Sequence, residues 1–185
     1  MSSSSLQRAL KLAVAAHDGL FRDGAPAIPY SEHPIGVMAR LRYIGKVANE
    51  SVLTAALLHD VLEETEVTES QIKAEFGAKV AQLVREMTRT EPSADECAGL
   101  TETQVWLLRS LMLIQEVSAM SQWAQAIKTA DRLSNLEEAL AVRKPRGRRR
   151  YIAQSLCLLE VLDRSACPQL HDALNSMTLG ARMNP

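Results

Sequence analysis

Six consecutive residues, His59-Asp60-Val61-Leu62-Glu63-Glu64, set an imidazole and three carboxylates at the end of an otherwise apolar run. On a helix, positions three and four apart share a face, so His59 aligns with Glu63, and Asp60 with both Glu63 and Glu64. Burying such a cluster without a counter-charge costs on the order of several kcal/mol per ion, and a bound cation removes that cost. Two further residues are of the right type. His33 opens a helix, where the preceding loop can aim it inward, and Asp131 lies in Ile127-Lys128-Thr129-Ala130-Asp131-Arg132-Leu133-Ser134-Asn135 on a later helix. Two histidines and two aspartates suit a borderline-to-hard divalent ion such as Mn²⁺ and leave positions open to water. Such an ion lowers the pKa of bound water and polarises a phosphoryl oxygen, which makes phosphate-ester hydrolysis the fitting chemistry. Spacing alone leaves two readings open: one site built from His33, His59, Asp60 and Asp131, or separate polar positions.

The His-Asp pair by itself is weak, because it occurs three times, at His17-Asp18, His59-Asp60 and His171-Asp172. His171-Asp172 has no acidic partner at helical spacing and reads as surface. His17 reads as a structural contact in preference to a site residue.

The elements that must position these groups are helical. Leu6 to His17 carries Leu6, Ala9, Leu10 and Ala13 on one face, and Gly19 to Tyr30, with Gly24, Pro26 and Pro29, reads as a loop. A helix starts near His33-Pro34 and ends at Gly45, and another runs from Glu50 or Ser51 to about Glu64 as the most buried of the set. Thr68-x-x-Gln71 has the form of a capping box opening a short helix that stops near Gly77. Val80, Leu83, Val84 and Met87 make the next stripe, and Glu91 to Gly99 reads as an exposed loop. Leu100–Met120, Gln122–Val142, Tyr151–Asp163 and Pro168–Met177 read as helices, with a basic loop over Arg143–Arg150. Strand patterns and internal repeats are lacking. The expected class is all-α, with residues 1–5 a mobile tail and 6–185 a single domain.

Composition narrows the function classes. Hydrophobic residues make up 46% of 185, enough for a packed core, and the net charge of -1 gives no global attraction to nucleic acid or membrane. The apolar run Leu12–Ala16 ends at His17-Asp18, too short for a secretory segment, and no stretch approaches the ~20 apolar residues of a membrane span. Cys97, Cys157 and Cys167 show no C-x-x-C spacing and fit a reducing compartment, so the chain reads as soluble and cytoplasmic. The basic segment Arg143–Arg150 reads first as a solvated connector and next as a phosphate contact; nucleic-acid binding is the least favoured of the three, since interleaved aromatics are lacking. Leu107, Leu111 and Ile114 can pack internally or at a homo-oligomer interface.

Several segments, in order, resemble a known family. They are Ala15-Ala16-His17 with Phe21-Arg22, Pro29-Tyr30-Ser31-Glu32-His33-Pro34-Ile35-Gly36-Val37, and Ala55-Ala56-Leu57-Leu58-His59-Asp60-Val61-Leu62-Glu63-Glu64-Thr65. Phe76-Gly77-Ala78-Lys79-Val80-Ala81-Gln82-Leu83-Val84 and Lys128-Thr129-Ala130-Asp131-Arg132-Leu133-Ser134-Asn135-Leu136 complete the set. The pattern resembles the hydrolase domain of RelA/SpoT-type enzymes, and more closely the small stand-alone alarmone hydrolases of the stringent response. The resemblance implies an HD-domain helical bundle with Mn²⁺ held by His33, His59, Asp60 and Asp131. It implies that Glu63 and Glu64 form the acidic catalytic pair serving the attacking water, and that Arg22 and Asn135 contact the nucleotide. Lys128 also matches a family lysine, with a substrate contact and a helix-surface role both open.

The implied reaction is removal of the 3′-pyrophosphate from (p)ppGpp, giving GDP or GTP. The chain is too short for a synthetase domain, so hydrolysis alone is expected. Three departures bear on this. Glu64 stands where the family usually has aspartate, Asp23 where lysine is common, and Glu137-Glu138 where arginine and a small polar residue are common. The last two make the expected pocket less positive. The same site acting on (p)ppApp or on the 2′-phosphate of NADPH is the neighbouring reading, and a non-catalytic nucleotide sensor is the reading from another class.

Overall fold

Every stretch of helical periodicity in the sequence appears as a helix in the computed structural model, which describes residues 4–22 and 28–183. In chain order these are α1 Ser5–Ala16, α2 Glu32–Tyr43, α3 Glu50–Leu57, α4 Val61–Glu64, α5 Glu69–Phe76, α6 Ala78–Met87, α7 Ala94–Cys97, α8 Glu102–Ala119, α9 Gln122–Val142, α10 Pro145–Leu159 and α11 Pro168–Met183. A 3₁₀ turn, Arg164–Ala166, precedes α11. Among the described residues, β structure is limited to one antiparallel bridge between Phe21 and Pro29. None of the helices is long and apolar enough to cross a membrane. Gly24, Pro26 and Asp23 lie outside the described residues.

Local chemistry sets the helix starts. Reciprocal capping boxes join Ser4 to Gln7, Thr68 to Gln71, Ser93 to Glu96 and Thr101 to Gln104, and each satisfies two of the orphan backbone donors. Ser4 therefore caps α1 and Ser5 is its first residue; Met1–Ser3 lie outside the described residues. The Ser93 box also folds a turn, α7, within the expected Glu91–Gly99 loop. Gly77, at φ 89°, ends α5 and starts α6 in a backbone region that side chains avoid. Gly45 follows α2 where a Cβ would lie 2.8 Å from Cys167 Sγ, so its lack of a side chain lets α2 close on the start of α11.

Two boundaries differ from the sequence reading. Arg143–Arg150 is not a loop: Pro145 occupies the first turn of α10, where its missing N–H is no loss. The expected single helix from Glu50 to Glu64 is two pieces, α3 and α4, joined by a tight turn at Leu58–Asp60.

α9 runs through the middle, against α2, α6, α10 and α11, while α3 packs among α1, α2 and α6. Val52 to Leu57 is wholly buried and burial continues through the turn to Val61, while an equally long buried run lies in α9, from Ala124 to Leu133. Hydropathy understates α9 because this run holds Gln125, Lys128, Thr129, Asp131 and Arg132. These polar groups are bonded internally, as burial demands. Gln125 Oε1 accepts from Asp163 N at 2.6 Å, and Thr129 donates to Gln125 O at 2.7 Å. Arg132 donates to Ser155 Oγ, Gln154 Oε1 and Tyr151 O at 2.9, 2.8 and 2.7 Å, with its guanidinium 4.0 Å from the Tyr151 ring centroid. Arg132 thereby pins α10 to α9 beside Asp131.

Candidate metal centre

Four helix ends and one helix middle deliver the polar residues to one place. His17 caps α1, His33 sits in the first turn of α2, His59 and Asp60 form the α3–α4 turn, and Asp131 projects from α9. His33, His59, Asp60 and Asp131 are only 7%, 5%, 6% and 5% exposed, so their mutual arrangement is a matter of interior electrostatics.

The turn at Leu58–Asp60 is what gathers them. In an unbroken helix His59 and Asp60 would diverge by about 100°. With the break, Leu58 N–H bonds Ala55 O at 3.1 Å and Val61 N–H bonds Leu58 O at 3.2 Å, and both side chains turn inward. His59 Nδ1 lies 2.9 Å from Ala56 O. Nδ1 is then the donor, and the neutral ring presents the lone pair of Nε2, an orientation typical of a metal-ligating histidine.

His33, His59 and Asp60 each offer a ligand atom, all within 4.8 Å of one another. Asp131 adjoins them, with Oδ1 3.2 Å from His33 Nε2 and 3.7 Å from His59 Nε2. The two carboxylates differ. Asp131 also takes Lys128 Nζ at 2.9 Å and the Asn135 side-chain amide, whereas both oxygens of Asp60 are buried with no hydrogen bond. His17 Nε2, 3.5 Å from Asp60 Oδ1, and His33 Nδ1 are equally without a hydrogen bond. Because His17 Nδ1 engages Ala13 O at 2.8 Å, Nε2 is the ring atom turned toward the carboxylate. Orphaned acceptors converging in this way fit a divalent cation, and the two-imidazole, two-carboxylate donor set suits a borderline-to-hard ion.

The titration behaviour of the metal-free cluster follows from the same contacts. Burial pushes His33 down, opposed by its bond to Asp131. Burial also works against the charged form of His59, but Asp60 and Asp131 outweigh it and raise its pKa to about 9. Asp131, despite burial, is held well below the usual carboxylate range by Lys128, His33 and His59.

The remaining expected residues surround this cluster. Glu63 accepts from Arg89 N at 2.8 Å and Arg89 Nε at 3.4 Å. Glu64 has no hydrogen bond of this kind and acts on the Tyr30 phenol, which burial and then the Asp60 and Glu64 charges hold well above its ordinary pKa. Tyr30 stacks on His17 with ring centroids 4.8 Å apart. Lys128 is not on the helix surface: it is buried, with its ammonium against Asp131. Asn135 and Arg22 meet, with Arg22 Nη2 donating to Asn135 Oδ1 at 2.8 Å, and Arg22 also binds Glu138 through Nε at 2.9 Å. The Arg143–Arg150 segment turns Arg146 and Arg150 to Glu102 and Thr103 of α8. His171-Asp172 stands apart, with Asp172 paired to Arg164 at 2.8 Å.

The sequence favours a structural contact for His17 over a place lining the site, and its Nε2 faces Asp60. Sequence reasoning also passed over Arg89, whose partner Glu63 is 26 residues away, and the pairing of Glu138 with Arg22 across 116 residues. Only tertiary structure brings these together.

Comparison with known proteins agrees with this geometry. The HD domain family matches residues 9–158. The chain is 31% identical over 138 residues to guanosine-3′,5′-bis(diphosphate) 3′-pyrophosphohydrolase MESH1 of Homo sapiens, covering 74% of this chain and 70% of that protein. It is 36% identical over 143 residues to the guanosine-3′,5′-bis(diphosphate) 3′-pyrophosphohydrolase of Haemophilus influenzae, covering 76% of this chain but 19% of that longer protein. A solved structure, described as a metazoan ortholog of SpoT that hydrolyzes ppGpp and plays a role in starvation responses, superposes with a TM-score of 0.83 at 27% identity over 97% of both chains. The chain therefore belongs to the HD-domain family, alongside MESH1 and the SpoT-type hydrolases.

Proposed function

We propose that this protein is a Mn²⁺-dependent hydrolase that removes the 3′-pyrophosphate from (p)ppGpp in the cytoplasm, with residues 6–185 acting as one domain. The observation that carries the reading is the Asp60 carboxylate, buried with both oxygens unbonded between His17, His33 and His59. The names of the relatives supply the substrate class.

In this reading His33, His59, Asp60 and Asp131 hold the cation. When bound, it lowers the pKa of water and polarises a phosphoryl oxygen. The protein's own groups do the rest. Lys128 and Asn135 fix the Asp131 carboxylate, and the Ala56 carbonyl fixes the His59 tautomer. Glu63, oriented by Arg89, accepts a proton from the attacking water, and Glu64 helps to align that water. Water oxygen bonds to the phosphorus on the ribose 3′-oxygen, the bond to that oxygen breaks, and the oxygen takes up a proton. Pyrophosphate leaves, and GDP or GTP remains. Arg22 and Asn135, at the edge of the cluster, receive the nucleotide.

The test is a substrate panel. Protein with Mn²⁺ is incubated separately with ppGpp, pppGpp, ppApp and NADPH, and products are resolved by ion exchange. Pyrophosphate and GDP or GTP from the guanosine substrates are expected. Preference for ppApp or phosphate release from NADPH would overturn the substrate assignment, and turnover of none of them would overturn the enzymatic reading.

A further inference from the structure

The mouth of this site is neutralised from within. Four cations that flank the cluster are each bound to a carboxylate: Lys128 to Asp131, Arg89 to Glu63, Arg40 to Glu137 and Arg22 to Glu138. The last two pairs have no role in holding a metal. They tie α9 back to α2 and to the segment ahead of it, through side chains 97 and 116 residues apart in sequence.

Arg22 is the most enclosed of these three arginines, its side chain only 13% exposed, and its Nε and Nη2 are both engaged. Nε and Nη2 both donate to Glu138 Oε2, and Nη2 also donates to Asn135 Oδ1, while the guanidinium lies 5.2 Å from the Tyr30 ring centroid. Asn135 in turn donates to Asp131. A continuous chain of contacts thus runs from Glu138 through Arg22 and Asn135 to the candidate metal ligand. Glu138 and Asn135 are three residues apart on one face of α9, which lets one guanidinium span both.

We propose that Glu138 is a specificity-determining residue that occupies Arg22 as an internal anion, so that an anionic nucleotide gains the Nε and Nη2 donors of Arg22 only by displacing it. This rests on the reading of Arg22 as the nucleotide's contact. A carboxylate and a ligand phosphate compete for the same N–H donors, and the ligand gives up part of its binding to break the internal pair. Glu138 therefore sets how strongly the site takes up negatively charged nucleotides, without touching the reacting phosphorus.

Glu138→Gln, Arg22→Gln and the double variant test this, with Glu138→Asp as the charge-keeping control. Steady-state kinetics on ppGpp with Mn²⁺ give KM and kcat, and calorimetric titration of ppGpp into the metal-free protein gives Kd without turnover. The expectation is a fall of about three- to tenfold in KM and Kd for Glu138→Gln, on the scale of one partly exposed ion pair, with kcat unchanged. Glu138→Asp should stay near the unsubstituted value. In the Arg22→Gln background the same substitution should change nothing, which separates competition for Arg22 from simple removal of a negative charge. An unchanged or weaker affinity in Glu138→Gln overturns the proposal, as does an equal gain without Arg22 or an absence of measurable ppGpp binding to either protein. Circular dichroism verifies that each variant keeps its helical content, and Glu138→Ser replaces any that does not. Absence of turnover by the unsubstituted protein counts against the proposed function, while the Kd comparison still decides the role of Glu138.

Discussion

Asp60→Asn separates the two states of the candidate metal centre. In the metal-free protein this carboxylate is buried with neither oxygen bonded, 3.5 Å from His17 Nε2 and 3.9 Å from His59 Nε2. Replacing it removes a buried charge that lacks hydrogen bonds, a relief of about 1–3 kcal/mol, and gives up an attraction to His59 of similar size. The metal-free melting temperature should therefore move little, by less than about 4 °C. With metal the outcome differs. A ligand at a hundred times its Kd stabilises the native state by about 2.7 kcal/mol. For a chain of this length each kcal/mol corresponds to about 2–4 °C, so saturating Mn²⁺ should raise Tm by about 5–11 °C. The substituted amide offers the ion a neutral oxygen in place of a charged one, and most of that rise should vanish. Differential scanning calorimetry in chelator and then across a Mn²⁺ titration measures both quantities. A full metal-dependent rise in Asp60→Asn would refute the reasoning, as would no rise in the unsubstituted protein at any Mn²⁺ concentration.

Four further outcomes are expected. His59, raised to about 9 by Asp60 and Asp131 against its burial, keeps its proton in the metal-free fold until about that pH, and a cation takes only the neutral ring. Apparent Mn²⁺ affinity should then strengthen about tenfold per pH unit from 7 to 9 and level off above, whereas a flat calorimetric profile would contradict it. By the same linkage, His59 stabilises the metal-free fold fully below its ordinary value of 6.5, and this contribution is lost as pH rises through about 9. Glu63→Gln should lower kcat for ppGpp by about 10²- to 10⁴-fold while leaving the metal-linked Tm rise intact, and loss of that rise would make Glu63 part of the metal site instead. Arg132→Met removes three hydrogen bonds between α9 and α10 and should cost about 3 kcal/mol, lowering Tm by roughly 6–12 °C; an unchanged Tm would mean that relief of guanidinium burial offsets them.

Much of this was legible in the residues. The Thr68–Gln71 capping box and the full extent of α9, Gln122–Val142, were read from side-chain type and periodicity, which are local properties. His33, His59, Asp60 and Asp131 were selected by chemical type, and the fold brings them together. The α3–α4 break was not legible because Leu58-His59-Asp60 contains neither glycine nor proline; the turn is held by tertiary packing of its fully buried flanks, Leu58 and Val61. Arg143–Arg150 was misread because proline, glycine and dense charge also describe a loop, although proline in a first turn marks a helix start. The acidity of Glu137 and Glu138 was visible, but not that Arg40 and Arg22 absorb it, since no local pattern encodes pairs so far apart. Lys128 is the intermediate case: its three-residue spacing from Asp131 allowed the pair, and only burial shows that it forms.

The central claim is that His33, His59, Asp60 and Asp131 hold the cation on which hydrolysis of the 3′-diphosphate depends. The most direct measurement is pyrophosphate release from ppGpp by the chelator-treated protein, before and after restoring Mn²⁺, beside His59→Ala treated in the same way. The account predicts no release without metal, release on its return, and none from His59→Ala under either condition. Release by the chelated protein, or undiminished release by His59→Ala, would contradict it.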